Sequence, residues 1–232
     1  MKKILGYFSK GELALWAVST LAVIASFLMF DRENWLTLAA SLVGVTSLIF
    51  AAKGHPAAQA MAIVFAVMYG IISLGFAYYG EMITYMFMSL PMAVFSLISW
   101  LRHPSDNKNE VRVNRLKGRE YLFMAGLAVV VTAVFYFVLK YFNTANLIPS
   151  TISVTTSFVA VYFVFRRSPL YAVGYAANDV VLIVLWTMAS FENVSYIPVA
   201  VCFAAFLAND IYGFINWQRM AKRQAGMQTA AA

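Results

Sequence analysis

Charge is scarce in this sequence, and so are the side chains most enzymes use. Asp, Glu, Lys and Arg make up 12% of the 232 residues, about half the usual share of a soluble domain. A single cysteine, Cys202, lies in an apolar stretch, which excludes an internal disulfide and leaves a small packing residue. With so little Cys and His, no cluster has metal-ligand spacing. Both histidines, His55 and His103, stand at the ends of apolar stretches rather than beside a buried serine or cysteine, so no nucleophile–base pair forms. No lysine lies deep in an apolar stretch, which excludes a Schiff-base retinal protein. The Gly-x-x-x-x-Gly-Lys-Ser/Thr loop of ATP-driven proteins is absent, as is the Gly-x-Gly-Asp context of intramembrane aspartyl proteases.

Apolar residues are what the chain has in excess, at 62% of positions with a mean hydropathy of +0.74. They fall into eight stretches: Leu13–Phe30, Trp35–Ala52, Ala58–Tyr78, Met82–Leu101, Tyr121–Tyr141, Ile148–Phe165, Leu170–Ala189 and Val194–Trp217. Each is close to the ~20 residues that a bilayer-crossing helix needs. The basic residues support this count independently. Alternate connections hold Lys2, Lys3 and Lys10; Lys53; Arg102, Lys108, Arg112, Arg115, Lys117 and Arg119; Arg166 and Arg167; and Arg219, Lys222 and Arg223. Only Arg32 and Lys140 fall on the other side. Positive charge is retained in short cytoplasmic loops, so both termini are expected inside. The net charge of +7 is explained by this bias and does not call for nucleic acid. The first stretch resembles a signal peptide, but it is long and Phe30-Asp31 offers no small-residue cleavage site, so an uncleaved helix is expected.

The expected fold is all-α and integral to the membrane, with eight transmembrane helices. Residues 1–34 form a cytoplasmic N-terminus and an extra helix, 35–101 a first three-helix unit, 102–120 a basic cytoplasmic linker, 121–147 a connecting helix, 148–219 a second three-helix unit, and 220–232 a disordered tail. The two units resemble each other. Ser99-Trp100-Leu101-Arg102 closes the first and Asn216-Trp217-Gln218-Arg219 the second, while Lys53-Gly54-His55-Pro56 in one matches Arg166-Arg167-Ser168-Pro169 in the other. Equivalent helices run the same way, which predicts a parallel 3+1+3 repeat of SWEET-like architecture.

Polar groups inside hydrocarbon are expensive and mark sites. Asn178 and Asp179 stand mid-span in the seventh stretch, and Asn209 and Asp210 in the eighth. Trp186 lies seven residues from Asp179, and Asn209, Gly213 and Asn216 share a helical face. Amides, carboxylates and indoles together suit a flat heterocycle on a sugar, with the two carboxylates favouring a cationic ring. Helix-to-helix packing is the competing account of the same four residues. Trp35, Trp100 and Trp217 suit an interfacial belt, and Gln59 either lines a cavity or snorkels. Superposing Trp100 on Trp217 sets Met92 and Ala93 against Asn209 and Asp210, so the polar lining is expected mainly in the second unit.

Three segments, Asn209-Asp210-Ile211-Tyr212-Gly213-Phe214-Ile215-Asn216-Trp217, Asn178-Asp179 with Leu185-Trp186, and Leu90-Pro91 with Ser99-Trp100, carry a resemblance to the PnuC family of bacterial vitamin-precursor transporters. The resemblance spans nearly everything from Trp35 to Arg219. It implies uptake of nicotinamide riboside, a cationic pyridinium on ribose, by facilitated diffusion, with trapping by cytoplasmic phosphorylation. It implies a multi-pass bacterial plasma-membrane protein without cofactor, metal or catalytic residues, assembled as a homo-oligomer such as a trimer among membrane lipid. Thiamine, riboflavin or a deoxynucleoside is the alternative cargo, and a membrane sensor or enzyme the alternative class. The substrate set expected from these polar and aromatic positions is Gln59, Asn178, Asp179, Trp186, Asn209, Asp210, Tyr212, Asn216 and Trp217.

Overall fold

A computed structural model describes residues 7–75, 78–106, 109–144 and 146–230. Lys2, Lys3, Lys108 and the last two residues lie outside them. Among the described residues, eight helices are long and apolar enough to cross a membrane. They are α1 (Lys10–Phe30), α2 (Trp35–Ala52), α3 (Ala57–Gly75), α4 (Tyr79–Arg102), α5 (Gly118–Tyr141), α6 (Leu147–Phe165), α7 (Tyr171–Ser190) and α8 (Val194–Met227, helical on to Ala230). Helices are the form such apolar segments take, because hydrocarbon offers backbone N–H and C=O groups no other partner. Large apolar side chains point outward along α1 and α5, among them Leu21, Met29, Leu122, Val129 and Phe137; only lipid makes that arrangement inexpensive.

Local chemistry sets the helix ends. On α1, Ser9 and Glu12 form a capping box, Glu12 N–H donating to Ser9 Oγ at 3.2 Å and Ser9 N–H to Glu12 at 2.6 Å. In α4, Tyr85–Ser89 forms a π-helical turn immediately before Pro91. The proline ring clashes with the carbonyl four residues back, and the wider turn makes room for it.

Six helices close into a ring in which α2 packs on α3, α3 on α4, α4 on α6, α6 on α7, α7 on α8, and α8 back on α2. Outside it, α1 lies against α8 and α2, and α5 against α6. Two basic-Pro turns at one end of the ring share their backbone geometry. Gly54 (φ +65°) and Arg167 (φ +55°) are both left-handed, and His55 N–H donates to Phe50 O at 3.0 Å just as Ser168 N–H does to Phe163 O at 2.9 Å. The linker bonds to both, through Val111 N–H to Gly54 O (2.9 Å) and Asn114 N–H to Arg167 O (3.0 Å). It is therefore a strap across that end rather than a free tether.

Two expectations are corrected here. Trp100 and Trp217 are not interfacial: both are fully buried, their rings 5.5 Å apart. Trp100 Nε1 donates to Val164 O (2.9 Å) and Trp217 Nε1 to Ala51 O (2.8 Å), so each satisfies a terminal carbonyl of α6 or α2 that the helix itself cannot. Trp35, 64% exposed, does fit the belt. The tail expected to be disordered continues α8 to Ala230. Ala, Gln, Lys and Arg are good helix formers, and Gln224 anchors this turn by accepting from Val113 N–H (2.8 Å) and donating to Val111 O (3.1 Å).

Candidate functional site

A cavity of about 90 Å³ lies inside the ring, reached by side chains from α2, α3, α4, α6, α7 and α8. Its polar groups include Asn178 and Asp179 from α7, Asp210 from α8, Gln59 from α3, Ser157 from α6, Ser47 from α2 and Ser89 from α4; Phe65, Tyr85, Tyr171, Tyr175, Phe203 and Phe206 supply aromatic walls. Asn178, Asp179 and Asp210 are each 2% exposed. Asp179 Oδ2 has no hydrogen-bond partner. Two carboxylates in one buried cavity are costly unless a cation or a proton accompanies them.

Small residues bring these groups together. At Gly174, one turn before Asn178, a Cβ would lie 2.8 Å from Ala160 Cα, so only glycine lets α7 approach α6 this closely. That approach puts Asn178 Oδ1 within reach of Thr156 Oγ (2.9 Å), Ser157 Oγ (2.9 Å) and Ser153 Oγ (3.5 Å). On α8, Gly213 serves similarly: a Cβ there would sit 2.9 Å from the Tyr171 hydroxyl.

Of the nine residues expected at the site, Gln59, Asn178, Asp179 and Asp210 line the cavity. The other five do not. Asn209 turns away toward α1, its Nδ2 donating to Ser19 Oγ (2.9 Å) and Ala205 O (2.8 Å). Tyr212 also faces α1 and donates to Glu12 Oε1 at 2.8 Å. Asn216 donates to Ala52 O (2.7 Å) and Trp217 to Ala51 O, both holding the end of α2. Trp186 lies one layer further from the linker end: its Nε1 donates to Tyr69 Oη at 2.6 Å and its ring packs 4.8 Å from Tyr78. Tyr69 in turn lies 4.3 Å from the Tyr85 ring that does line the cavity. The aromatic walls of the cavity are supplied instead by Tyr85 and its aromatic neighbours, with Trp186 behind them. The reason is common to Asn209, Tyr212 and Asn216: α8 is covered by α1, α2 and α7, so a polar stripe on it faces a neighbouring helix as readily as a cavity.

Glu12 and Glu81 are among the buried carboxylates that escaped the sequence reading. Glu12 pairs with Lys53 Nζ at 3.2 Å and ties α1 to the α2–α3 turn; it precedes the stretch taken as the first span. Glu81 is 1% exposed with neither carboxylate oxygen hydrogen-bonded. It sits in the first turn of α4, which begins at Tyr79 rather than Met82; an acidic residue beside Gly80 on the charge-poor side was the available signal. The aromatic lining was equally illegible, since every span contains Phe or Tyr.

The family model for nicotinamide mononucleotide transporters matches residues 34–219. The chain belongs to that family. The match begins just before α2 and covers the whole ring, leaving α1 outside it. Relatives include the nicotinamide riboside transporter PnuC of Neisseria mucosa, 26% identical over 219 residues, 92% of this chain and 83% of that one. The protein of the same name from Haemophilus influenzae is 20% identical over 194 residues, 82% of each chain. The crystal structure of the vitamin B3 transporter PnuC superposes with a TM-score of 0.82 at 23% identity over 94% of both chains, which shows a shared fold. Family members are transporters, and this chain is a multi-pass membrane transporter rather than an enzyme.

Proposed function

We propose that the chain imports nicotinamide riboside across a bacterial plasma membrane by facilitated diffusion, the product being trapped by cytoplasmic phosphorylation. The carrying observation is the cavity lining: two carboxylates, two amides and aromatic walls, with no Lys or Arg among the described lining residues. A pyridinium cation gains charge attraction from Asp179 and Asp210 and cation–π contact from the walls. The family description names the mononucleotide and the relatives name the riboside. The lining favours the riboside, because a phosphate dianion would meet two carboxylates and no cation. The basic residues of the linker and turns support cytoplasmic N- and C-termini. The matched turns at Pro56 and Pro169, and the reciprocal indole bonds of Trp100 and Trp217, support a parallel 3+1+3 duplication. The assembly is a homo-oligomer surrounded by lipid.

The test is uptake by proteoliposomes of labelled nicotinamide riboside, with unlabelled riboside, mononucleotide and thiamine as competitors. Riboside alone should compete fully, and preloaded vesicles should lose label on dilution. Full competition by the mononucleotide refutes the electrostatic reading, and stronger competition by thiamine gives that cation the site. Accumulation that collapses with a protonophore replaces facilitated diffusion with proton coupling.

A further inference from the structure

Among the described amides in the cavity, Asn178 has its oxygen already committed to the protein. Its Oδ1 faces α6, where Ser157 Oγ and Thr156 Oγ each approach to 2.9 Å and Ser153 Oγ to 3.5 Å. Ser157 decides the sense of the amide. It is 2% exposed, and Asn178 Oδ1 is the acceptor its hydroxyl has. Turning the amide over would put an NH₂ against that hydroxyl and leave its proton without this acceptor in a buried site. Thr156 is less decisive, since its single proton also has Ile152 O and Ser153 O within 3.0 and 3.1 Å. With the oxygen drawn to α6, the NH₂ of Asn178 is the part of the side chain left to the cavity. Its neighbour Asp179 carries an acceptor, the unpartnered Oδ2, and Asp210 adds another carboxylate.

We infer that Ser157, supported by Thr156 and Ser153, is a positioning residue that locks Asn178 as a hydrogen-bond donor into the cavity, so that the donor at Asn178 beside the acceptors at Asp179 and Asp210 selects a primary carboxamide on the substrate ring. The complementarity is that of the group itself. A carboxamide presents one acceptor and one donor side by side, which the NH₂ of Asn178 and a carboxylate match in turn. A ring carboxylate in the same place offers acceptors only and meets two like charges. A ring bearing hydrogen leaves the Asn178 donor and the Asp179 acceptor unpaired. This inference rests on the riboside reading above and extends it to the part of the molecule that distinguishes the amide from the acid.

Three ligands separate the ideas: nicotinamide riboside, nicotinic acid riboside, and the pyridinium riboside with no ring substituent. Their Kd values are measured by calorimetry on purified wild-type protein, Ser157→Ala, Thr156→Val/Ser157→Ala, and the conservative Thr156→Ser. Wild type should bind the carboxamide about ten-fold or more tighter than either analogue. In the double variant the preference for carboxamide over the unsubstituted ring should fall about five- to ten-fold, while affinity for the unsubstituted ring stays within about two-fold. Ser157→Ala, which removes one oxygen from a packed site, should show the larger part of this change, and Thr156→Ser should keep the wild-type preference. Equal losses for all three ligands would reduce the hydroxyls to helix packing and overturn the inference. So would a wild type that binds the carboxamide and the unsubstituted ring alike, although the riboside would still be the substrate. No binding of any of the three by wild-type protein would instead refute the riboside reading and this inference with it.

Discussion

Replacing Asp210 by Asn keeps the shape of the cavity while removing one of its two carboxylates, and the consequence follows from charge. A pyridinium about 5 Å from a carboxylate, at an effective dielectric of about 20, gains roughly 3 kcal/mol of Coulomb energy. Part of this is offset by the desolvation of the ion on entering the cavity. Asp179 also remains, so the net loss should be about 1.5–3 kcal/mol, or roughly ten- to hundred-fold in affinity. The control is the reduced riboside, in which the ring is an uncharged dihydropyridine of nearly the same size. Calorimetry should show that Asp210→Asn weakens the oxidised, cationic ligand by that factor and changes the reduced one by less than about three-fold. Asp179→Asn should act in the same direction. Equal weakening of both ligands would mean the carboxylate shapes the bundle rather than reading charge. Unchanged binding of the cation would move the cationic ring away from α7 and α8.

Trp100→Phe and Trp217→Phe each remove one indole donor from a terminal carbonyl of α6 or α2, and should each lower stability in detergent by about 1–3 kcal/mol, read as reduced thermal midpoint with ligand Kd unchanged. A cysteine introduced at Asn109 in the strap should resist an impermeant thiol reagent applied to intact cells while one at Asn193 reacts; the opposite pattern would invert the topology. His55 holds its charged form down through burial, and its Nδ1 accepts from Ala57 N–H at 3.1 Å at the start of α3. Unfolded histidine takes up its proton near pH 6.5 and the folded chain does so only at lower pH, so His55 contributes a loss of stability as pH falls below about 6.5. His55→Ala should flatten that acid limb in a thermal-shift series while costing about 0.5–1.5 kcal/mol at neutral pH.

Hydropathy and charge, both properties of composition along the chain, determined the number of helices and, apart from the end of α8, their limits to within three residues. The bilayer explains why, because it imposes length and apolarity on every span regardless of its neighbours. The same property made depth legible: Asn178, Asp179 and Asp210 are costly anywhere but a shared interior, and they do meet in one. Direction around the helix was not legible. A periodicity of 3.6 residues shows that Asn209, Tyr212 and Asn216 lie near one another on α8, but not whether that stripe faces a cavity, α1 or the end of α2. Where all sides of a helix are apolar and covered, no contrast in the sequence marks the inward one. Closure of the six-helix ring decided it, turning Asp210 inward and Asn209 outward to Ser19. The same closure put Trp100 and Trp217 on helix-terminal carbonyls instead of in the interface, and it set three hydroxyls of α6 against the oxygen of Asn178. Such contacts join residues far apart in the chain, so only the packed structure could determine them.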